Sequence, residues 1–223
     1  MRAVPIPLSA NPDLPFKYIG GDPSVDLVNT VDWTSKGPDF ERLTSYERLT
    51  HWAEGAGLVS AADGKRLRQQ AVAHPRKAKA AWEAARWLRW VLQQVFGKIA
   101  AGEPPGPALD DFNDLLSETL SHLRVASTAG SPKWDWHGRG EDLESILWPV
   151  VWAAATLLTT AEAERLRVCA SLDCGWMYVD RSRNGLRRWC QMETCGTREK
   201  SRRRSTVRFR TPPSTPGQPG DPR

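Results

Sequence analysis

The stretch CASLDCGWMYVDRSRNGLRRWCQMETC, residues 169–195, contains all four cysteines of this 223-residue chain. They form two short loops, CASLDC and CQMETC, with four residues inside each loop and fifteen residues between the loops. Two loops at this spacing can surround a single tetrahedral Zn²⁺ with four thiolates, which leaves no open coordination position for catalysis. The pattern therefore predicts one structural zinc ion, and the alternatives are disulfides and buried free cysteines. The predicted ligands are Cys169, Cys174, Cys190 and Cys195.

The choice between zinc and disulfides depends on the redox compartment, and the N-terminal residues and the apolar runs help to indicate that compartment. The segment MRAVPIPLSANPDLP is broken by prolines and lacks a continuous apolar stretch, so it does not predict a secretory signal. The longest apolar run, ILWPVVWAAATLL at 146–158, is too short to span a bilayer. We therefore expect a cytoplasmic protein with no membrane partner. Thiols stay reduced in that compartment, which favours metal binding over disulfides.

The residues around the cysteines predict a small module over 165–210. Between the two loops, GWMYVDRSRNG at 175–185 predicts a strand that leads into a hairpin turn. After Cys195, GTREKSRRR predicts a helix. A knuckle, a hairpin and a helix around one zinc ion form a treble-clef-like module. A segment of this size has little core of its own, so the metal is expected to supply much of its folding free energy.

Residues 1–164 predict a mainly helical domain with a small β-sheet, which makes the whole chain α+β. Apolar residues recur at three- and four-residue steps, and Asp22, Ser45 and Ser60 stand where helix caps are preferred. Pro149 is expected to kink the last helix of this domain. Helices are predicted over 22–33, 44–59, 60–74, 76–102, 108–123 and 141–159, and strands over 16–21, 123–128 and 133–138.

The net charge changes sign near residue 165, which predicts the domain boundary. Residues 165–210 hold 13 Lys and Arg against four Asp and Glu, a net charge of +9, whereas residues 1–164 have a net charge of −4. We therefore expect residues 1–164 to fold as a separate unit that does not need zinc. The Pro- and Gly-rich residues 211–223 predict a disordered tail.

The positive charge of the module indicates a polyanion partner, most often nucleic acid. Arginine presents a fork of N–H donors that suits phosphate oxygens and the guanine edge. A solvated basic face without a partner is the alternative interpretation. We predict that the module binds duplex DNA through cations beside the second cysteine pair and on the following helix. These cations are Arg187, Arg188, Arg198, Lys200, Arg202, Arg203 and Arg204.

The cysteine region resembles the CGNR zinc finger of bacterial transcription regulators. The matching features are GW at 175–176 after the first cysteine pair, DRSRN at 180–184, RRWC at 187–190 and the CG-x-R pattern at 195–198. Thr197 stands where the family motif has Asn, so a contact made by that Asn would change, while the fold is expected to persist. The resemblance implies a zinc-dependent transcription regulator that binds DNA.

The N-terminal part resembles the companion domain of that family, named ABATE, in SVDLVNTVDW at 24–33 and LTHWAEGAGLVS at 49–60. The resemblance implies a domain that binds a small-molecule effector or forms a homodimer. Asp26 and Asn29 are candidate effector-binding residues, because they are polar residues on or beside the apolar stripe of the first predicted helix. Trp33 is a third candidate, because Trp side chains of this part can line a pocket for a flat or apolar ligand. Packing in the core is the alternative role for these residues and for the other Trp side chains of this part.

Enzyme motifs are absent from the sequence, which has no HExxH, no glycine-rich phosphate loop and no GxSxG. We therefore expect a regulator rather than an enzyme. Two alternatives stay open. In the first, the module binds RNA, with Trp176, Tyr178 or Trp189 stacked on unpaired bases. In the second, the finger tethers a small-molecule-processing enzyme whose pocket lies in the N-terminal domain.

Overall fold

The computed structural model of the protein describes residues 9–11, 13–34, 37–128 and 130–210, with the side chains of 128 and 206–210 outside that description. The tail predicted at 211–223 also lies outside the described residues. Helices dominate the N-terminal part and small sheets accompany them, while the four cysteines gather in a C-terminal module. The α+β fold class predicted from the sequence is confirmed.

Seven α-helices and seven short strands are present in the described residues. The helices are α1 (Pro23–Val28), α2 (Tyr46–Gly55), α3 (Ala61–Ala73), α4 (Pro75–Ala100), α5 (Ala108–Leu120), α6 (Trp148–Leu158) and α7 (Thr197–Arg210). The strands are β1 (Ser9–Ala10), β2 (Val31–Thr34), β3 (Gly37–Glu41), β4 (Leu123–Thr128), β5 (Ser131–Trp136), β6 (Leu166–Val168) and β7 (Met177–Val179). Two 3₁₀ segments, Leu143–Ile146 and Ala161–Arg165, and one π-helical turn, Met192–Gly196, complete the regular structure.

The strands form three small sheets. In the first, β3 lies between β1, which runs parallel to it, and β2, which runs antiparallel. The second is a hairpin of β4 and β5, which contain most of the strands predicted at 123–128 and 133–138, and Val125 faces Trp134 in it. The third pairs β6 with β7 antiparallel, so that Leu166 faces Val179. The third sheet carries the first cysteine loop between its two strands.

Three helices begin where their capping residues predicted. The Asp22 side chain accepts a hydrogen bond from the Ser24 N–H at 2.9 Å, and Pro23 occupies the first helical position of α1. Ser45 caps α2 and Ser60 caps α3 by accepting from backbone N–H groups three residues further on, at 3.2 and 3.1 Å. These contacts are local, so the sequence predicts them well.

The helix predicted over 22–33 is wrong in its second half. Helix α1 ends at Val28, and the next residues turn into β2, which pairs with β3. Trp33 therefore stands on a strand, and its indole N–H donates to the Val28 carbonyl at 2.9 Å. Tertiary pairing outweighs helical periodicity here because Val31 and Trp33 fit the half-buried surface of a sheet.

Two further expectations for the N-terminal part are wrong. The segment 16–21 forms no strand, although the Gly20 carbonyl accepts a hydrogen bond from the Val179 N–H at 2.8 Å. Pro149 produces no kink inside a long helix, since a 3₁₀ segment comes first and α6 begins only at Trp148. Proline in the first helical turn lacks an N–H that would be unsatisfied anyway, so it starts the helix.

Helix α4 is the centre of the N-terminal core and packs against α1, α2, α3 and α5. It also carries a buried ion pair, in which Arg89 donates to both carboxylate oxygens of Glu41 and to the Thr30 hydroxyl. Breaking one member of a buried ion pair leaves an uncompensated charge, so this contact ties α4 firmly to β3. The buried side chains of α4 include Ala81, Ala85, Leu88, Val91, Leu92, Val95 and Phe96.

The cysteine module shares this core. Strand β7 packs on α1, and its residues are buried together with those of α1. The side-chain amide of Asn29 accepts from the Met177 N–H at 2.9 Å and donates to the Met177 carbonyl at 2.8 Å. Two more hydrogen bonds join the parts, from the Gly175 N–H to the Trp33 carbonyl at 2.7 Å and from the Trp176 indole to the Val31 carbonyl at 3.1 Å. Independent folding of residues 1–164 stays a prediction, and the shared core argues against it.

Asn29→Ala is expected to destabilise the whole chain. The substitution leaves two buried backbone groups of Met177 without their partner, at a cost of about 2–4 kcal/mol in the free energy of unfolding. Chemical denaturation monitored by tryptophan fluorescence measures this change. Asn113→Ala is the matched control, because Asn113 is exposed on α5. Equal stability of the two variants would contradict the proposed importance of the Asn29 contact.

Candidate metal centre and nucleic-acid interface

The sulfur atoms of the four cysteines lie within 4.8 Å of one another. The Cys190 sulfur is 3.7 Å from that of Cys174 and 3.6 Å from that of Cys195. Tetrahedral coordination with Zn–S bonds of about 2.3 Å requires S···S separations of about 3.8 Å. The four sulfurs therefore lie close enough together to hold one zinc ion.

Burial and hydrogen bonding also suit a structural metal site. Cys169, Cys190 and Cys195 are buried, whereas Cys174 is partly exposed. The Cys190 N–H points at the Cys169 sulfur at 3.3 Å, a contact that favours a thiolate there. Hydrogen bonds from the thiols of Cys174 and then Cys190 lower the pKa of Cys169.

The first cysteine loop is held by the β6–β7 hairpin. The Cys169 N–H donates to the Trp176 carbonyl at 2.8 Å, which closes the hairpin around the loop. Gly175 follows the loop and lies against the first sheet. A Cβ atom at that position would stand 2.6 Å from the Cβ of Trp33, so only glycine allows this approach. The contact explains the glycine that follows the first cysteine pair.

The hairpin predicted within 175–185 is wrong in its second strand. Met177–Val179 does form a strand, but its partner is β6, which precedes the first cysteine loop. Residues 182–185 form a turn, with Gly185 at a φ of 62°, and no strand follows it up to residue 210, where the description of the chain ends. Asp180 organises this turn by accepting from the Ser182 N–H at 2.9 Å and from the Arg187 N–H at 3.0 Å. The sequence predicts that a segment is a strand, but it does not indicate which other segment pairs with that strand.

The second cysteine loop leads into α7 through the π-helical turn. The Thr197 hydroxyl donates to the Met192 carbonyl at 3.2 Å, so the residue that replaces the family Asn bonds within this turn. Glu199 anchors the helix to the first loop, because its carboxylate accepts from the Ser171 hydroxyl at 2.8 Å. Arg202 bridges Glu199 and Asp173. Helix α7 is thus fixed to both cysteine loops.

The seven cations predicted to contact DNA divide into two groups. Arg202 takes part in the anchor just described. Arg187 is half-buried, donates to the carbonyls of Ile19, Trp189 and Cys190, and lies 4.1 Å from the Tyr178 ring centroid. These contacts give both residues a structural role. The other five are exposed, and their side chains form no hydrogen bond or ion pair with described residues: Arg188, Arg198, Lys200, Arg203 and Arg204.

The three candidate effector-binding residues lie at the junction between the N-terminal core and the cysteine module. Asp26 accepts from the Gly20 N–H at 2.8 Å, and burial raises the pKa of this carboxyl to about 6. Asn29 is occupied by Met177, as described above. Trp33 is buried and borders a cleft beside the cysteines. The contacts of Asp26 and Asn29 position β7 and the segment in front of α1.

The N-terminal domain also has a larger cleft, which the sequence did not indicate. It has a volume of about 820 Å³ and brings His74, His122 and His137 together from three separate segments. His122 lies flat on Trp148, with ring centroids 4.0 Å apart and planes 13° apart. The histidines are far apart in sequence, so their spacing did not indicate that they line the same cleft.

The structure therefore defines a mainly helical α+β protein that ends in a four-cysteine zinc finger with an exposed basic helix. The family model ABATE, described as "Putative stress-induced transcription regulator", matches residues 21–161. The CGNR zinc finger matches residues 165–206. The chain belongs to the ABATE family and carries a CGNR zinc finger, as the motifs predicted, and one structural zinc ion is its cofactor.

Neither matched family is an enzyme family. No curated protein matches the chain. Among the described residues, none of the helices has both the length and the apolar character needed to cross a membrane.

Cys190→Ser is expected to abolish zinc binding and to unfold the C-terminal module, because serine cannot supply the fourth thiolate. Metal analysis of the purified protein should give one zinc per chain for the parent and a large loss for the variant. Since β7 belongs to the shared core, a chelator should also lower the melting temperature of the whole chain. Thr194→Ser, an exposed change within the same loop, is the control. A Cys190→Ser protein that retains full zinc and a folded module would contradict the assignment.

Proposed function

We propose that the protein is a cytoplasmic, zinc-dependent transcription regulator that binds duplex DNA through its finger and a small-molecule effector through its N-terminal domain. One observation carries the DNA-binding part of this proposal. Cations whose side chains have no hydrogen bond or ion pair with any residue in the described part of the chain stand on a helix that follows directly from the second cysteine loop. The proposed zinc ligands are Cys169, Cys174, Cys190 and Cys195.

The distribution of cations around α7 suits a helix that enters a DNA groove. At 100° per residue, Lys200 and Arg204 lie together on the side of the helix opposite Arg198. A helix in the major groove has phosphates of both strands beside it and base edges in front of it. Cations on opposite sides of α7 can therefore neutralise phosphates of both strands.

Arg198 is the proposed base-reading residue. It stands in the first turn of α7, and recognition helices contact base edges mainly through their N-terminal residues. Arg188, Lys200, Arg203 and Arg204 are proposed to contact phosphates. Arg187 and Arg202 bond to other residues of the protein, so substituting either one should lower the stability of the module and should not remove a DNA contact. This division refines the sequence-based set, in which all seven cations contact DNA.

Arg188→Ala is expected to weaken binding to all duplexes alike and to reduce the slope of log affinity against log salt by about one, since each phosphate contact contributes roughly 0.9 to that slope.

Arg198→Ala should instead relax the preference at one base pair, with a loss of about 1–3 kcal/mol in the free energy of binding to the preferred sequence. Fluorescence anisotropy across a salt series, with a sequence selected from a random duplex library, measures both effects.

The control for these variants is Lys65→Ala, which removes an exposed cation from the N-terminal domain. Salt-independent binding by the parent would contradict the proposal. Structured RNA that displaces the duplex at equal phosphate concentration would favour the alternative of an RNA-binding module. Turnover of a small molecule by the purified protein would favour the tethered enzyme.

The histidine-lined cleft is the proposed effector site. Its volume of about 820 Å³ falls within the range usual for small-molecule sites, roughly 300–1,000 Å³. A smaller cavity of about 90 Å³ adjoins it and shares its residues His122, Asp142, Glu144 and Trp148. The other residues that line this smaller cavity are mainly apolar and include Leu88 and Val151. A polar cleft beside an apolar cavity suits a ligand with both polar and apolar groups.

His122→Phe is expected to release a small molecule that co-purifies with the parent, because phenylalanine keeps an aromatic ring on Trp148 but removes both ring nitrogens. Native mass spectrometry of the full chain measures the bound mass. His51→Phe, on α2 and outside the cleft, is the control. Equal retention by parent and His122→Phe would place the ligand elsewhere. Homodimer formation, the other role expected of this domain, stays a prediction.

A further inference from the structure

Three apolar side chains cluster on the surface of the most basic part of the chain. Leu186, Trp189 and Met192, together with Arg187 and Arg188, line a cavity of about 330 Å³, which we name the Trp189 cup. Leu186 is 75% exposed and Met192 is 42% exposed, whereas Trp189 is partly buried against the core. Single exposed apolar residues are ordinary, but a concave cluster of them marks a binding surface.

The backbone beneath the Trp189 cup is fixed. The Arg187 carbonyl accepts from the Tyr178 hydroxyl at 2.6 Å, and the Arg188 carbonyl accepts from the Ala170 N–H at 2.8 Å. Cys190 follows directly and belongs to the zinc site. The exposure of these side chains is therefore a property of a rigid segment. A preformed surface loses little conformational entropy when it binds.

The backbone of Met192 is positioned by the turn that precedes α7. The π-helical turn Met192–Gly196 runs directly into α7, and a Cβ atom on Gly196 would overlap the Met192 sulfur. Glycine at this position allows the Met192 side chain to lie back over the turn. The Trp189 cup is thus joined, through this turn, to the first turn of the helix that carries Arg198.

We propose that the Trp189 cup receives an unstacked nucleobase of the bound DNA. The inference rests on the proposed DNA-binding function and deepens it, because it adds a site that contacts bases beside the phosphate-contacting cations. Apolar side chains such as Leu and Met are used as wedges between base steps. A base released from its stack can then lie against an aromatic side chain, a contact that tolerates any base.

The charge around the Trp189 cup favours a nucleotide over an apolar protein segment. The Arg188 guanidinium lies over the Trp189 ring, 5.4 Å from the ring centroid, so an incoming base would share this face of the ring with a cation. A nucleotide has a flat base that suits the apolar side chains of the Trp189 cup and a negative phosphate that suits the Arg188 guanidinium. A free phosphate would gain nothing from Leu186 and Met192. Trp176 and Tyr178, which the sequence offered as alternative stacking residues, are buried.

The test compares two 20-bp duplexes that differ only at one extrahelical nucleotide, which is thymidine in one and an abasic residue in the other. Both carry the same number of phosphates, and the bulge removes the free energy needed to unstack a paired base. The parent protein is expected to bind the thymidine duplex about five- to a hundredfold more tightly, the range that base–aromatic stacking gives. Equal binding of the two duplexes would overturn the proposal.

The double variant Leu186→Ser, Met192→Ser is expected to lose this preference while keeping the parent's affinity for the abasic duplex and its salt dependence. Leu172→Ser is the matched control, because Leu172 is 74% exposed in the first cysteine loop and lies outside the Trp189 cup. Zinc content and melting temperature verify that both proteins are folded. A thymidine preference that survives in the double variant would also overturn the proposal.

The two proposals fail in different ways. Failure of the parent to bind either duplex in a salt-dependent manner would overturn DNA binding, and the base contact with it. Salt-dependent binding without a thymidine preference would overturn only the Trp189 cup and leave phosphate binding by α7 intact.

Discussion

The side-chain amide of Asn29 exchanges two hydrogen bonds with the backbone of Met177, 148 residues further along the chain. Both groups are buried, so water cannot replace either partner. The contact places β7 against α1 and thereby sets the position of the zinc finger on the N-terminal core. Asp26 contributes to the same junction, since it holds Gly20, whose carbonyl pairs with Val179. The junction thus packs the finger against the N-terminal domain through a shared core.

Two sets of contacts position the finger, those to the zinc ion and those at the junction with the N-terminal core. The four sulfurs join both cysteine loops, and β7 and the turn after it rest on the N-terminal core. Helix α7 then projects from the second loop, with Glu199 bonded back to Ser171 of the first loop. A helix of low apolar content needs such anchors, because its own propensity cannot hold it in one orientation. The exposed cations of α7 are presented on a scaffold with two independent supports.

The proposed effector cleft and the proposed DNA-binding helix lie at opposite ends of a continuous series of packed elements. Trp148 in the wall of the cleft belongs to α6, which packs on α1, and α1 packs on β7. The Trp189 cup follows β7 through the turn organised by Asp180. A ligand that moved α6 would therefore act on α1, the helix that holds the finger. Such coupling would require two arrangements of this junction with different affinities for the ligand.

Local sequence patterns determined the features whose physical basis lies within a few residues. The cysteine spacing predicted the zinc ion, and Asp22, Ser45 and Ser60 predicted the starts of three helices, because a cap bonds a backbone group two or three positions away. The uneven charge marked the finger as the basic part, since net charge depends on composition alone. Only the tertiary structure decided that Arg187 and Arg202 have structural partners, that Asn29 bonds to Met177, and that His122 stacks on Trp148. Each of these contacts joins separate segments, and the free energy that selects them arises when the segments pack together.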